Sequence, residues 1–356
     1  MDNIKSQLTG FPSDLSKEFC KGLDLINLIF KPEELTHWAE IGLAISQRTS
    51  RGWEAALEYF KVSGDTAKYL PFSSFVKWAM GGDYLSQASP SIAASYFRAS
   101  ATATTVLSPI QIAKWAAIGS RFYKGTWKSS SLASSFFDSS PELISGLSFA
   151  EVEEFSEIIE VLSGKSYEIA KECLSIGAST LVPMGMERAE FLSLCRAQIE
   201  NGWRDIRPCF NAARESLHLV SKTEQGRFLN LTKRLSLNHP RAISSFLQSG
   251  ATTLGGLEPS NQQRILALSE DLLPINSDAV FALFNNLGVV LKRLTVTQLV
   301  SWFEKGIAVL NENQDAGLAY FKIESNASER MLESLSSSVE LERIQHILLL
   351  YCKALS

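Results

Sequence analysis

A few short stretches of this chain carry residue types that could do chemistry. Ser163 to Ser166 reads SGKS, the end of a loop whose backbone N–H groups and lysine cradle phosphates. That loop needs a glycine five residues before Gly164. Ile159 stands there, and no strand pattern leads into it. Gly146 to Ala150, GLSFA, is one residue short of the Gly-x-Ser-x-Gly elbow that exposes a serine nucleophile, and no alternating strand and helix pattern surrounds it. The histidines, His37, His218, His239 and His346, have no partner four residues away and no His-Glu-x-x-His. In EVEEFSEIIE, residues 151–160, Glu151, Glu154 and Glu157 fall opposite Phe155 and Ile158, which is the pattern of a solvated helix face. Cysteines at 20, 173, 195, 209 and 352 form no Cys-x-x-Cys, so neither a disulfide framework nor a zinc site is expected, only buried thiols. The reading is of a non-enzyme, with no catalytic set, no cofactor and no metal.

Three tryptophans suggest binding instead. Trp53 in RGWEAAL and Trp203 in NGWRDIR each stand seven residues before the second member of an apolar pair, Phe60 and Phe210. Trp127 in GTWKSSS stands ten before Phe137. The spacing predicts Trp53 and Trp203 in the first turn of a helix, at the same end of two helical hairpins. There an indole can plug the joint between neighbouring hairpins, or stay open as a partner anchor, since tryptophan is a frequent hot-spot residue. Trp53, Trp127 and Trp203 are the candidate partner-binding residues.

The elements that would position them come from a repeat. Ala-x-x-Tyr-Phe occurs at Ala56 and Ala93, and a close variant, Gly-x-x-Tyr-Phe, at Gly317. Upstream of each pair lies a Trp with a Gly four residues on: Trp38 and Gly42, Trp78 and Gly82, Trp302 and Gly306; a fourth such couple is Trp115 and Gly119. Where the Trp disappears, apolar residues keep a frame. Ile158, Leu194, Leu231 and Leu268 are expected at the Trp position, giving intervals of 40, 37, 43, 36, 37, 37 and 34 residues from Trp38 to Trp302. Glycine costs a helix about 1 kcal/mol against alanine, so its recurrence one turn after the Trp implies a neighbouring helix lying against bare backbone. Two helices per unit at a period near 37 are the mark of an α-solenoid, in which stacked hairpins bury each other's apolar stripes.

The expected architecture is therefore all-α: about eight hairpins over residues 32–326, an N-terminal capping helix within 1–31 with Ser13 or Asp14 as its cap, and a C-terminal capping helix within 327–356. Pro32, Pro71 and Pro109 should open first helices, and Pro90 and Pro240 second helices. The composition agrees, with 45% hydrophobic and 20% charged residues in 356. A formal charge of −4 argues against a nucleic-acid footprint. No signal-like N-terminus and no membrane-length apolar run occur, so a cytoplasmic protein without a membrane partner is expected.

The combined words, Leu-x-x-Trp-x-x-x-Gly-Leu followed by Ala-x-x-Tyr/Phe-Phe-x-x-Ser, resemble the N-terminal helical region of bacterial von Willebrand factor A-domain proteins of the nitric-oxide-reductase-activation and rubisco-activation type. The resemblance covers roughly residues 32–325 and is strongest in the first three units. It implies a role as substrate-recognition adaptor for a MoxR-type AAA+ ATPase. One departure stands out. The Asp-x-Ser-x-Ser metal motif of the von Willebrand domain is absent, since the runs from Asp14 and Asp138 end in Glu18 and Glu142. The expectation is the helical part alone, as a fragment or a stand-alone relative, without a magnesium site. The competing expectation is a helical-repeat reader of nucleic acid or peptide, for which Arg51, Arg204 and Arg241 near hairpin starts are the hint.

Overall fold

The computed structural model describes residues 10–203, 205–290 and 296–322, all built from helix, turn and loop. The expected C-terminal capping helix at 327–356 lies outside the described residues, as do residues 1–9. The chain divides into two compact units, Met1–Gly185 and Met186–Ser356. The first holds α1 (Ser13–Ile26) and four hairpins: α2 (Pro32–Gln47) with α3 (Gly52–Tyr69), α4 (Phe72–Ala88) with α5 (Pro90–Val106), α6 (Pro109–Phe122) with α7 (Trp127–Gly146), and α8 (Phe149–Ser163) with α9 (Tyr167–Leu181). The second holds α10 (Arg188–Glu200) with α11 (Arg207–Ser216), α12 (Gln225–Ser236) with α13 (Ile243–Gly255), α14 (Pro259–Leu272) with α15 (Ser277–Val290), and α16 (Val296–Glu312) with α17 (Gln314–Lys322). No strand occurs among the described residues.

Local chemistry sets most boundaries. Pro32, Pro90 and Pro109 occupy the first helical position, where a missing N–H costs nothing. Pro71 instead sits just outside α4, at its N-cap. Pro240 opens a short 3₁₀ turn, Pro240–Ala242, ahead of α13. Neither Ser13 nor Asp14 caps α1: Ser13 is already helical and Pro12 takes the cap position without a side-chain bond. The two pseudo-motifs are turns. SGKS joins α8 to α9, with the Ser166 hydroxyl accepting from the Ile169 N–H at 3.4 Å. In GLSFA, Ser148 caps α8: its hydroxyl accepts from the Glu151 N–H, and its own N–H donates to the Glu151 carboxylate at 2.7 Å.

Contacts within the first hairpin explain the repeated words. Gly42 faces Phe60, and Trp38 faces Ser63, so the two helices run antiparallel. The Trp38 indole N–H donates to the Ser63 hydroxyl at 3.0 Å, and the Tyr59 hydroxyl donates to the Trp38 carbonyl at 3.1 Å. The second hairpin repeats both, from Trp78 to Ser100 at 2.8 Å and from Tyr96 to the Trp78 carbonyl at 3.2 Å. Trp115 donates to Ser140 at 2.9 Å, and Tyr320 donates to the Trp302 carbonyl at 2.9 Å. Each of these serines also donates to a carbonyl of its own helix, so no polar atom of the pair is left unmet. A Cβ at Gly42, Gly82, Gly119 or Gly306 would overlap the ring of Phe60, Phe97, Phe137 or Phe321. The glycine therefore admits the second helix's phenylalanine.

Burial moves the frame in the middle hairpins. In α2 the buried positions are Leu35, Trp38, Ala39, Gly42, Ile45 and Ser46. The same pattern in α8 is Val152, Phe155, Ser156, Ile159, Leu162 and Ser163. Phe155, not Ile158, thus takes the Trp position, and Phe191, Phe228 and Ile265 do so in α10, α12 and α14. The expected Ile158, Leu194, Leu231 and Leu268 are one helical turn too late; the first three are buried beside the seam, and Leu268 is only half-buried. An α-helix keeps two adjacent apolar stripes in play, and spacing alone chose the wrong one. With the corrected positions, 38, 78, 115, 155, 191, 228, 265 and 302, the intervals become 40, 37, 40, 36, 37, 37 and 37 residues.

In the first unit the second helices form a row, with α3 packed on α5, α5 on α7 and α7 on α9. The lone α1 joins this row by packing on α3. Its Phe19 stacks on Trp38 at 5.3 Å between ring centroids, as Tyr59 stacks on Trp78 at 5.6 Å and Tyr96 on Trp115 at 5.0 Å. In the second unit α11, α13, α15 and α17 pack in succession, as do α10, α12, α14 and α16.

Candidate partner-binding grooves

Trp53 is the second residue of α3, in the first turn as its spacing implies. It is half-buried at the tip of the first hairpin. Its neighbour Gly52 lies so close to the Ile45 and Ser46 carbonyls that a side chain there would meet backbone, which holds the tip tight. The indole borders a groove of about 370 Å³ across the row of second helices. Trp53, Leu57 and Glu58 of α3 form one wall, Ala94 and Arg98 of α5 the other, and Ser134 of α7 closes one side. Unlike Trp38, Trp78 and Trp115, Trp53 has no hydrogen-bonded serine behind it among the described residues.

Charges cross this groove along the row. The Arg98 Nη1 lies 3.1 Å from Asp138 Oδ1, while its Nε stays 4.0 Å from Glu58 Oε1. Lys61 Nζ approaches Glu58 Oε2 only to 3.7 Å. The Glu58 side chain is 14% exposed, and its Oε2 is sealed from solvent without a hydrogen bond. The Ser134 hydroxyl oxygen is likewise buried and unbonded. Glu54, one turn before Glu58, is held by Arg51 at 2.7 Å.

Trp203 lies in the equivalent place in the second unit. It precedes α11 rather than standing in its first turn: Gly202, at φ +83°, bends the chain there, and the Trp203 N–H returns to the Gln198 carbonyl at 3.0 Å. The half-buried indole borders a groove of about 480 Å³ with Asn201, Gly202, Asp205, Pro240 and Arg241. Both grooves join a tip tryptophan to the start of the next second helix. Trp53 precedes Pro90 by 37 residues, as Trp203 precedes Pro240.

The lining of this second groove differs. Asp205 is gripped by Arg207, with Nε to Oδ1 at 2.8 Å and Nη2 to Oδ2 at 2.7 Å, and hydrogen bonding from Arg207 holds its carboxyl below the usual carboxylate range. Arg241 is exposed and makes no ion pair among the described residues. Trp127 lines neither groove; it is the first residue of α7, 73% exposed, with the Lys128 ammonium 5.6 Å from its ring centre.

The arginines considered as a repeated reading position do not behave alike. Arg51 is paired with Glu54, Arg241 faces the second groove, and Arg204 lies outside the described residues. Sequence reasoning passed over Glu58, Arg98 and Ser134. Glu58, Arg98 and Asp138 are 40 residues apart in turn, a signal that becomes meaningful once the second helices are known to stack. Among the described residues no His, Cys, Asp and Glu cluster could hold a metal, and no helix is long and apolar enough to cross a membrane.

No protein-family model, curated protein or solved structure matches this chain.

Proposed function

We propose that this chain is a non-catalytic helical-repeat scaffold that binds protein partners in the cytoplasm, as an adaptor or assembly module for a MoxR-type AAA+ ATPase. One observation carries the binding role. The frame tryptophans Trp38, Trp78, Trp115 and Trp302 are buried in the seams, while Trp53 and Trp203 stand half-open in grooves at the same place of the repeat. A large indole left partly in water beside a cavity is a typical hot-spot arrangement. The AAA+ assignment rests on the repeated words around Trp38, Trp78 and Trp115.

The test is affinity capture on the immobilised full chain, with Trp53→Ala and Trp203→Ala as controls, followed by mass spectrometry. The expected result is an AAA+ ATPase that is recovered by the unaltered chain and lost with one of the variants at unchanged melting temperature. Equal recovery by the double variant would overturn the groove assignment, and consistent recovery of nucleic acid with a steep salt slope would favour a nucleic-acid reader.

A further inference from the structure

We propose that the Trp53 groove reads a lysine or arginine side chain presented by an extended segment of the protein partner; this rests on the binding role given above. Glu58 is the acidic side chain of the groove wall beside Trp53. A carboxylate of low exposure normally collects several hydrogen bonds. Glu58 makes none: Lys61 and Arg98 stop at 3.7 and 4.0 Å, outside hydrogen-bond range. Arg98 is shared with Asp138, which its Nη1 holds at 3.1 Å. Lys61 projects from the same helix as Glu58, three residues on, and its side chain is 57% exposed. The groove therefore contains a carboxylate whose two ion-pair partners, Lys61 and Arg98, stop short of hydrogen bonding to it.

Its other walls suit the same guest. Leu57 and Ala94 offer apolar surface for a methylene stem, and the Trp53 ring provides a face that attracts cations. An ammonium or guanidinium beside Oε1 of Glu58, the oxygen that is not sealed, would form the charge-assisted bond that Arg98 Nε, 4.0 Å away, does not. An acidic guest would meet Glu54 and Glu58 at the Trp53 wall, with Arg98 already committed to Asp138.

The experiment uses the full chain and a positional-scanning library of N-acetylated, C-amidated nonapeptides, read by fluorescence polarisation. Enrichment of lysine or arginine at one position is expected. It should fall about tenfold with Glu58→Gln, the loss of a single charge-assisted bond. Glu58→Lys should turn the preference toward aspartate and glutamate, which keeps the idea testable if the first variant folds poorly. A basic preference that survives Glu58→Gln overturns the inference. So does library binding that disappears with Trp53→Ala yet shows no basic preference, an outcome that leaves the protein-binding role standing. A library that the unaltered chain does not bind at all also overturns it, while the capture experiment decides the broader role independently.

Discussion

The first three hairpins and those of the middle solve one packing problem with opposite residues. In α2 and α3, as in the next two hairpins, the first helix brings a tryptophan and, one turn later, a glycine; the second brings a phenylalanine and, three residues on, a serine. In α8 and α9 the ring at the tryptophan position shrinks to Phe155, and the facing serine becomes Gly177, whose bare backbone abuts that ring. The former glycine position is filled by Ile159, and the former phenylalanine by Leu174. Phe228 and Gly250 repeat the exchange in α12 and α13, at 3.0 Å between the ring and a would-be Cβ. What recurs along the chain is a filled volume with one small residue opposite each ring. Which helix provides the small residue is free to change, because interiors demand density rather than particular residues.

The sharpest way to break this comparison is to remove a ring. Trp115→Ala should lower unfolding free energy by about 3 to 5 kcal/mol in a denaturant titration, since it opens a cavity and strands the Ser140 bond. Phe155→Ala should cost about the same despite the different word around it. A loss below about 1 kcal/mol at either site would show that the two kinds of seam are not equivalent.

Exchanging the small residues comes next. Gly82→Leu and Gly177→Leu should each cost about 1 to 3 kcal/mol by overpacking against Phe97 and Phe155. Ile159→Leu, at the same place of the repeat as Gly82, should cost less than about 1.5 kcal/mol because the space is already filled. A Gly177 variant with unchanged melting temperature would mean that the small residue has not moved helix.

Polar satisfaction gives an effect of similar size. Ser100→Ala leaves the buried Trp78 N–H without an acceptor and should cost about 1 to 3 kcal/mol. The corresponding place in α11 is already Ala213, and Ala213→Ser should bring no matching gain. Thermal melts of both variants decide the point. The smallest stability effect is expected at the tips. Trp53→Ala should leave melting nearly unchanged while weakening partner capture by about 2 kcal/mol. A drop in melting temperature without a binding loss in the soluble fraction would make Trp53 a plug in the joint.

How far the chain could be read depends on the kind of residue. The hairpins were legible because Trp, Gly and Tyr-Phe recur in register: a large ring, a missing side chain and a hydroxyl within reach of a carbonyl leave few ways to pack. In α8 to α14 the marks are Leu, Ile and Phe, which occur on more than one stripe of a helix, and the register came out one turn late. Trp53 and Trp203 were visible as tryptophans off the frame, so one half of each groove could be named in advance. The turn at Gly202 that places Trp203 ahead of α11 could not.

Local chemistry along the chain thus determines that it is helical, where most helices begin and that they come in pairs, because proline, capping residues and apolar periodicity act over a few neighbours. Only tertiary structure decides which stripe faces the seam, which glycine meets which ring, and that Glu58 stands between Lys61 and Arg98 yet bonds to neither. Apart from the Lys61 contact three residues away, those outcomes depend on side chains from 15 to 40 residues apart meeting in one place, and no short stretch of sequence contains both partners.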